Sequence, residues 1–252
     1  MGADRVLVEM MSGPALSLHN LALGYDGRVV MDVRHMEVPS GGLVCVIGPS
    51  GVGKSTFLEG VGLMSNTFVM APGAEPELAI AGERYDPQAL WAGPVQKLAQ
   101  LRRERFSFIF QSTNLMPNFT VGENIRMAHQ GAGSADFDQR VAQLMDRVGL
   151  PVALLGRATH QLSGGQRQRV AFVRALSKEF TILMADEPTG NLDHANAESL
   201  FGLLRSEVAQ RGRTAVVVTH QLDLAEEFAD LILDIVPGGP DAPATIIPRS
   251  GR

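Results

Sequence analysis

The stretch from residue 43 to residue 55 reads LVCVIGPSGVGKS and decides the fold. Its first five residues, Leu43 to Ile47, are apolar without alternation, which is typical of a strand covered on both faces in a parallel sheet. A glycine-rich segment, Gly48 to Ser55, follows at once, and a helix is expected from Gly53 to Leu63. A buried strand, a glycine-rich loop and a helix in this order predict a phosphate-binding loop, or P-loop.

The residue types of this loop suit phosphate binding. Glycines let the backbone curl so that its N–H groups point inward at phosphate oxygens, and the positive end of the following helix dipole adds to this. Lys54 can reach the outer phosphates, and the Ser55 hydroxyl is placed to bind magnesium. A plain glycine-rich turn with a surface lysine is the alternative, but the four fixed positions and the flanking strand count against it.

Strand patterns recur on both sides of the loop. Leu16 to Leu21 alternates in hydrophobicity, a turn follows around Tyr25 to Gly27, and Val29 to Val38 resumes the alternation. Further strands are predicted at Phe106–Phe110, Ile182–Ala185 and Thr214–Val218, and a helix is predicted at Ala195–Gln210. The alternation of strands and helices predicts an α/β fold.

Three other segments complete the chain. Residues 71–94 hold four prolines and several glycines, which predicts a loop-rich excursion broken by one short strand, Glu77 to Ile80. Apolar residues recur at helical spacing from Phe137 to Val148, with Asp136 as a possible cap. The end of the chain from Pro237 is rich in proline and glycine and allows at most a terminal hairpin.

Two adjacent carboxylates end the strand at residues 182–185. Asp186 can hold hydrated magnesium, while Glu187 can face an attacking water, because successive residues that leave a strand diverge in direction. A merely solvated acidic pair is the alternative, and the presence of the P-loop weighs against it.

A second candidate anion site is the segment Leu162, Ser163, Gly164, Gly165 and Gln166, which precedes a basic helix from Arg167 to Lys178. Ser163 is a good N-cap, and the two glycines expose backbone N–H groups at the helix start. By itself this could be an ordinary capped helix. With the P-loop and the acidic strand end in the same order, it resembles the signature motif of the ATP-binding-cassette (ABC) family, and the resemblance covers nearly the whole chain.

The resemblance implies the architecture. We expect a P-loop NTPase core with a mostly parallel sheet, an N-terminal antiparallel β subdomain and an inserted α-helical signature subdomain. Residues 1–252 would form a single ABC nucleotide-binding domain, with the helical subdomain at about 112–177 and a tail or hairpin at 237–252.

The resemblance also implies the site residues. ATP would contact Tyr25 through its adenine and the P-loop through Gly48, Pro49, Ser50, Gly51, Val52, Gly53, Lys54, Ser55 and Thr56. Magnesium would be bound by Ser55, Gln111 and Asp186, and Glu187 and His220 would be catalytic. The segment Leu162–Gln166 would contact the ATP of a partner protomer, and Asn191 and Asp193 would lie in a loop that crosses the dimer interface.

The implied function is magnesium-dependent ATP hydrolysis that couples closure of a homodimer to work by separate membrane permease subunits. Those subunits would dock on Gln111 to Ile125 and on the turn before Leu162. Residues 115–125 and 187–193 resemble the subset that serves lipoprotein release, macrolide export and cell division. The chain departs from that subset at Ser65 to Pro76 and around Trp91, and its cargo is left open.

Other members of the family leave alternatives. A soluble ABC-type clamp that is not engaged in transport would carry a very long coiled coil between the Gln111 and Ser163 segments, where only a short helical region is expected. Relatives in translation usually carry two cassettes, and this chain has one. A regulatory module that binds ATP without cleaving it would have replaced Glu187 or His220.

Composition limits the partners and the location. A net charge of −5 argues against a protein that mainly binds nucleic acid, because that role needs a dense basic surface. Cys45, the only cysteine, lies in an apolar run and predicts a buried structural thiol in a reducing compartment. No apolar run approaches the ~18 residues that span a bilayer. We therefore expect a cytoplasmic protein, peripheral on the inner face of the cell membrane through its membrane partner.

Overall fold

The computed structural model of the chain is organised around one twisted β-sheet and describes residues 13–69, 75–129, 135–190, 192–239 and 242–251. Its strands are β1 (Leu16–Tyr25), β2 (Arg28–Val38), β3 (Leu43–Ile47), β4 (Phe68–Val69), β5 (Glu77–Ile80), β6 (Glu83–Tyr85), β7 (Phe106–Ile109), β8 (Ile182–Asp186), β9 (Thr214–Val218), β10 (Leu231–Val236) and β11 (Ala244–Ser250). Its helices are α1 (Lys54–Val61), α2 (Pro87–Ala92), α3 (Val95–Arg105), α4 (Val121–Ala128), α5 (Ala135–Arg147), α6 (Gly164–Ser177), α7 (His194–Arg211) and α8 (Leu222–Phe228). Short 3₁₀ turns lie at Val152–Gly156 and Thr159–Gln161.

The strands lie in the order β6-β5-β1-β2-β11-β10-β3-β9-β8-β7, and β4 pairs with β1. The neighbours from β10 to β7 are parallel, whereas β1, β2, β5 and β6 pair antiparallel. The helices α4, α5 and α6 come between β7 and β8 along the chain, and α4 and α5 each pack on α6. The predicted α/β fold, with a mostly parallel core and an antiparallel N-terminal part, is confirmed.

The central strand β3 is buried on both faces, as its unbroken apolar sequence predicts. Leu43, Cys45 and Ile47 belong to one hydrophobic cluster together with residues of α6 and α7, such as Phe172 and Phe201. Val44 and Val46 face the other cluster, which contains Phe57 and Leu58 of α1. Because successive strand residues point to opposite faces, β3 joins the two halves of the core.

Cys45 is a free, buried cysteine, as predicted. Burial, with a smaller contribution from the charge of Asp230, raises the pKa of its thiol to about 12, which keeps the thiol protonated and unreactive. Among the described residues, no helix is both long and apolar enough to cross a membrane.

The prediction for residues 71–94 is wrong in part. Within the described part of this segment, β5 occurs where it was predicted, but β6 follows it and α2 begins at Pro87. The carboxylate of Asp86 accepts hydrogen bonds from the N–H groups of Gln88 and Ala89 at 2.8 and 3.4 Å and caps this helix. A proline is tolerated at the first helical position, where its missing N–H group is not needed.

Two further features also differ from prediction, the place of Asp136 in its helix and the pairing of the last strand. Asp136 lies inside the first turn of α5 and is not a residue that precedes it, so it acts on the helix dipole from within. The end of the chain does more than fold back on itself, because β11 pairs antiparallel with β10 and parallel with β2. The sheet therefore continues through the last described residues.

Candidate nucleotide-binding site

Four parallel strands end at one edge of the sheet and bring predicted site residues to it. The strands β3, β9, β8 and β7 are neighbours in that order, and their register aligns Val46 with Val218 and Val218 with Asp186. The residues that follow these strands are Gly48 after β3, His220 after β9, Glu187 after β8 and Gln111, which is exposed, after β7. The carboxyl edge of an open parallel sheet is where such folds bind ligands.

The P-loop backbone requires its glycines. Gly48, Gly51 and Gly53 have φ values of 148°, 78° and 109°, which other residues rarely adopt. A Cβ atom on Gly48 would also lie 2.6 Å from the carbonyl oxygen of Ile235. Helix α1 begins directly after Gly53, which has no side chain to cap it, so the first N–H groups of α1 are available to an anion.

The side chains of the loop divide by exposure. Lys54 Nζ donates hydrogen bonds to the carbonyl oxygens of Gly48 and Pro49 at 2.8 and 3.0 Å, which holds the ammonium group over the loop. Pro49, Ser50 and Ser55 are exposed, whereas the predicted contacts Val52 and Thr56 are buried. The loop thus presents one cation and two hydroxyl groups at its surface.

Asp186 lies at the end of β8 beside the loop. Its pKa is raised, first by burial and then by the neighbouring carboxylates of Glu187 and Glu59. Lys54 and a hydrogen bond from Ser55 act in the opposite direction. This hydrogen bond places the Ser55 hydroxyl beside the Asp186 carboxylate, and the two oxygen donors fit magnesium, which usually takes one or two protein ligands together with waters and phosphates.

Glu187 and His220 form a hydrogen-bonded pair. Glu187 Oε2 lies 2.7 Å from His220 Nδ1, and the side chains are 17% and 65% exposed. Glu187 has a φ of 44°, which is uncommon for a residue other than glycine, and its N–H group donates to the carbonyl oxygen of Val218 at 2.9 Å. This backbone conformation turns the Glu187 side chain away from the course of β8, so that it can act apart from Asp186.

Tyr25 lies at the end of β1 and is 44% exposed. Its hydroxyl group donates to Glu59 Oε2 of α1 at 3.3 Å, which ties the ring to the helix that follows the P-loop. A cavity of about 510 Å³ lies against Tyr25 and the P-loop residues Gly51 and Val52. An aromatic ring and a phosphate loop on one cavity match the two ends of a nucleotide.

The Ser163 segment begins α6 through a capping box. Ser163 Oγ accepts the N–H of Gln166 at 3.2 Å, and Gln166 Oε1 accepts the N–H of Ser163 at 3.0 Å. Leu162 is buried and anchors the segment, while Ser163 and Gly164 are exposed. Gly165 lies against Leu192, which joins this segment to the predicted dimer loop.

In the predicted dimer loop, Asp193 caps α7. Its carboxylate accepts hydrogen bonds from the backbone N–H and the side-chain amide of Asn196 at 2.9 and 2.7 Å, and these bonds lower its pKa. Asn191 lies outside the described residues. A contact of this loop with a second protomer stays a prediction.

Sequence reasoning missed two residues of this site, Gln168 and Glu59. Gln168 is fully buried in α6, and its amide nitrogen donates to the carbonyl oxygen of Pro188, which connects the signature helix to the loop after Glu187. Glu59 contacts Tyr25 and influences Asp186. Gln168 is 20 residues from Pro188, and Glu59 is 34 residues from Tyr25, so no local sequence pattern indicates either contact.

Comparisons with known proteins identify the family of the chain. Residues 31–190 match the model of the ABC transporter family. The chain is 37% identical, over 92% of its length and 95% of the relative's, to the lipoprotein-releasing system ATP-binding protein of Anaeromyxobacter dehalogenans. It is 35% identical, over 91% of its length, to the macrolide export ATP-binding/permease protein of Brucella melitensis, of which it spans 34%.

A solved dimeric ATP-binding cassette in a post-hydrolysis state, bound to ADP and Pi, superposes with a TM-score of 0.76 at 29% identity and covers 94% of this chain and 99% of that one. The family model matches more than half of the chain, and the relatives come from the subset that the sequence resembles. The chain therefore belongs to the ABC transporter family.

Proposed function

We propose that this ABC-family ATPase hydrolyses ATP with Glu187 as the general base. The nucleotide would be held between the P-loop of the chain and the Ser163 segment of a second copy. The observation that carries the proposal is the hydrogen bond between Glu187 and His220 at the sheet edge where the P-loop begins. A carboxylate with a partner histidine, beside a loop built for phosphate, suits in-line attack of water on a terminal phosphoryl group.

The chemistry of the proposed step is a displacement at phosphorus. Glu187 accepts a proton from water as the water oxygen bonds to the terminal phosphorus, and the bond from that phosphorus to the bridging oxygen of ADP breaks. Lys54 and His220 balance the charge that develops on the phosphoryl oxygens. Because Glu187 is 17% exposed, it can reach a water without being fully solvated.

Magnesium would be bound by Ser55, Asp186 and Gln111. The hydrogen bond between Ser55 and Asp186 supports this proposal, because it brings a hydroxyl oxygen and a carboxylate oxygen together beside the P-loop. When bound with ATP, magnesium would supply positive charge at the phosphate oxygens.

A metal titration tests this part of the proposal. ATP hydrolysis by the full chain should be absent with a chelator and restored by Mg²⁺, because the phosphate charge is otherwise unbalanced. An Asp186→Asn variant should need about tenfold or more Mg²⁺ for half-maximal activity, the usual cost of losing a charged ligand or its support. Asp136→Asn, at an exposed carboxylate of α5, is the control and should match the unmodified chain. Equal Mg²⁺ requirements in both variants would contradict the assignment of Asp186.

A homodimer is the proposed working form. Ser163 and Gly164 are exposed, and a Cβ atom on Gly164 would have no neighbour within 4 Å among the residues that the structure describes, so an anion could approach the start of α6 closely. The solved relative described above is itself dimeric. Binding of one ATP by both protomers makes closure depend on the nucleotide, and loss of the terminal phosphate reverses it.

Membrane permease subunits are the proposed targets of this work, and they would hold the chain at the inner face of the cell membrane. The relatives are named for lipoprotein release and macrolide export. The soluble-clamp alternative is not favoured, because the longest described helix between β7 and β8 has only 14 residues. The segment 112–177 would act as the helical subdomain of a single nucleotide-binding domain over residues 1–252.

The two proposed docking pieces form one surface. The hydroxyl group of Thr159, in the turn before Leu162, donates to the carbonyl oxygen of Met116 at 2.7 Å, and its N–H donates to Phe119 at 3.0 Å. Met116 and Phe119 are 49% and 43% exposed, which is high for such large apolar side chains. An exposed apolar surface of this kind suits contact with another protein.

A charge at this surface should detach the chain from membranes. Phe119→Glu places a carboxylate where an apolar contact is proposed, so the share of the chain that sediments with membranes from its own cells should fall at least about fivefold, as for loss of an interface anchor. Val95→Glu, at a side chain that is 75% exposed elsewhere, is the matched control. Equal sedimentation of the two variants would contradict docking at Phe119.

A further inference from the structure

We propose that the described residues of the turn between β10 and β11, 237–239 and 242–243, form one wall of the pocket for the base and ribose of ATP. The cavity of about 510 Å³ beside Tyr25 is lined on one side by Val30 and by the P-loop residue Val52. On the other side it is lined by turn residues, among them Pro237 and Pro243. This inference rests on the proposed function, since it concerns how the same ATP is held.

The sheet topology brings the turn to this place. β11 lies between β10 and β2, and Ala244 at its start pairs with Met31 of β2. A two-residue turn joins Tyr25 to the start of β2, so the residues that precede β11 lie on the side of the sheet edge where Tyr25 is. The P-loop lies beside the end of β10, because a Cβ atom on Gly48 would be 2.6 Å from the carbonyl oxygen of Ile235. The turn is thus fixed between the P-loop and the aromatic residue.

The turn is longer than a hairpin needs. Two residues suffice to join antiparallel strands, whereas seven residues, 237–243, separate Val236 from Ala244 here. The described turn residues that line the cavity are glycine, proline and alanine. Such residues present a surface of backbone and short apolar groups, against which a planar base can lie.

The shape of the turn depends on Gly238. A Cβ atom on Gly238 would lie 2.3 Å from the carbonyl oxygen of Ala242 and 2.4 Å from that of Pro243, so the two limbs of the turn meet there backbone to backbone. At Gly156, which lies outside this cavity, such a Cβ would meet no described atom within 4 Å. A methyl group at 238 must push the limbs apart, whereas one at 156 need not.

The cavity suits the base end of a nucleotide. Its volume lies within the roughly 300–1,000 Å³ of small-molecule sites, and Gly51 and Val52 make it continuous with the phosphate loop. Apart from Tyr25 and Arg28, its lining consists of glycine and apolar residues, so its side chains offer stacking and van der Waals contact while backbone groups supply polar surface. The ligand class is therefore a nucleoside attached to a phosphate chain.

The test compares Gly238→Ala with Gly156→Ala in the full chain, by calorimetric binding of ATP and of inorganic tripolyphosphate, both with Mg²⁺. Gly238→Ala should weaken ATP about fivefold or more, as for a base that loses a contact surface, and should leave tripolyphosphate binding unchanged. Gly156→Ala should change neither. A second variant, in which Asn-Gly replaces residues 238–243 and Val236 stays opposite Thr245, should lose ATP affinity in the same way, and it serves if Gly238→Ala does not fold.

Three outcomes overturn the inference: ATP affinity equal in the two glycine variants, full ATP affinity in the shortened turn, or equal losses for ATP and tripolyphosphate. The proposed function fails separately, if the unmodified chain binds neither ligand.

Discussion

Glu187→Gln is expected to slow ATP cleavage by about a hundredfold to ten-thousandfold, the usual contribution of a positioned proton acceptor. The change keeps the size of the side chain and leaves Asp186 in place, but it removes the carboxylate that would take the proton from water. ATP binding should survive, because the amide adds no bulk and removes a negative charge from a site crowded with carboxylates.

Single-turnover hydrolysis of ATP with Mg²⁺ measures this effect directly. Glu198→Gln, the same change at an exposed glutamate of α7, is the control and should hydrolyse ATP at the unmodified rate. A Glu187→Gln protein that matches this control would contradict the role of Glu187 as the base.

Lys54→Ala is expected to abolish measurable ATP binding. Truncation of one partner in a hydrogen-bonded charge pair costs about 2–5 kcal/mol, which corresponds to a loss of affinity of about 30-fold or more. The fold should survive, because the hydrogen bonds of Lys54 Nζ run to the loop carbonyls of Gly48 and Pro49 and the side chain fills no part of the core.

Equilibrium dialysis with ATP tests this expectation, and thermal unfolding checks the fold. Lys97→Ala, at an exposed lysine of α3, is the control. Undiminished affinity in Lys54→Ala would contradict the P-loop assignment, whereas a large fall in the unfolding temperature would show that Lys54 supports the fold instead.

Local sequence patterns were sufficient to predict structure where strand, loop and helix follow one another. β3, its glycine loop and the start of α1 lie where the sequence predicts them, because an unbroken apolar run and the spacing of glycines are both visible within about 13 residues. The acidic end of β8 and the N-cap at Ser163 were predictable for the same reason. The carboxyl edge of a parallel sheet then brings such segments together.

Other elements were missed because one residue type has two meanings. Pro87 marks a break in a loop, yet it also fits the first position of a helix when Asp86 caps it. Helix α3 was not predicted from the sequence, because only Leu98 and Leu101 of its 11 residues are buried and they form too weak an apolar stripe.

Contacts between residues far apart in sequence could not be predicted. The pairing of β11 with β2 joins residues more than 200 positions apart, and no local pattern specifies it. The contact of Gln168 with Pro188 and that of Tyr25 with Glu59 likewise form only when separate elements pack. The parts of the site that depend on packing therefore needed the structure, and the contacts with ATP and with a second copy stay predictions.

The most direct test of the central claim is the size of the Glu187→Gln protein in size-exclusion chromatography with ATP and Mg²⁺. Uncleaved ATP should stay between the P-loop of one protomer and the Ser163 segment of its partner, so the dimer should accumulate, while the unmodified chain returns to monomers or an open state. An added Ser163→Arg change should remove the dimer, because a bulky cation at that exposed position cannot pack on the nucleotide. A Glu187→Gln protein that binds ATP and stays monomeric, or a dimer that persists with Ser163→Arg, would contradict the account.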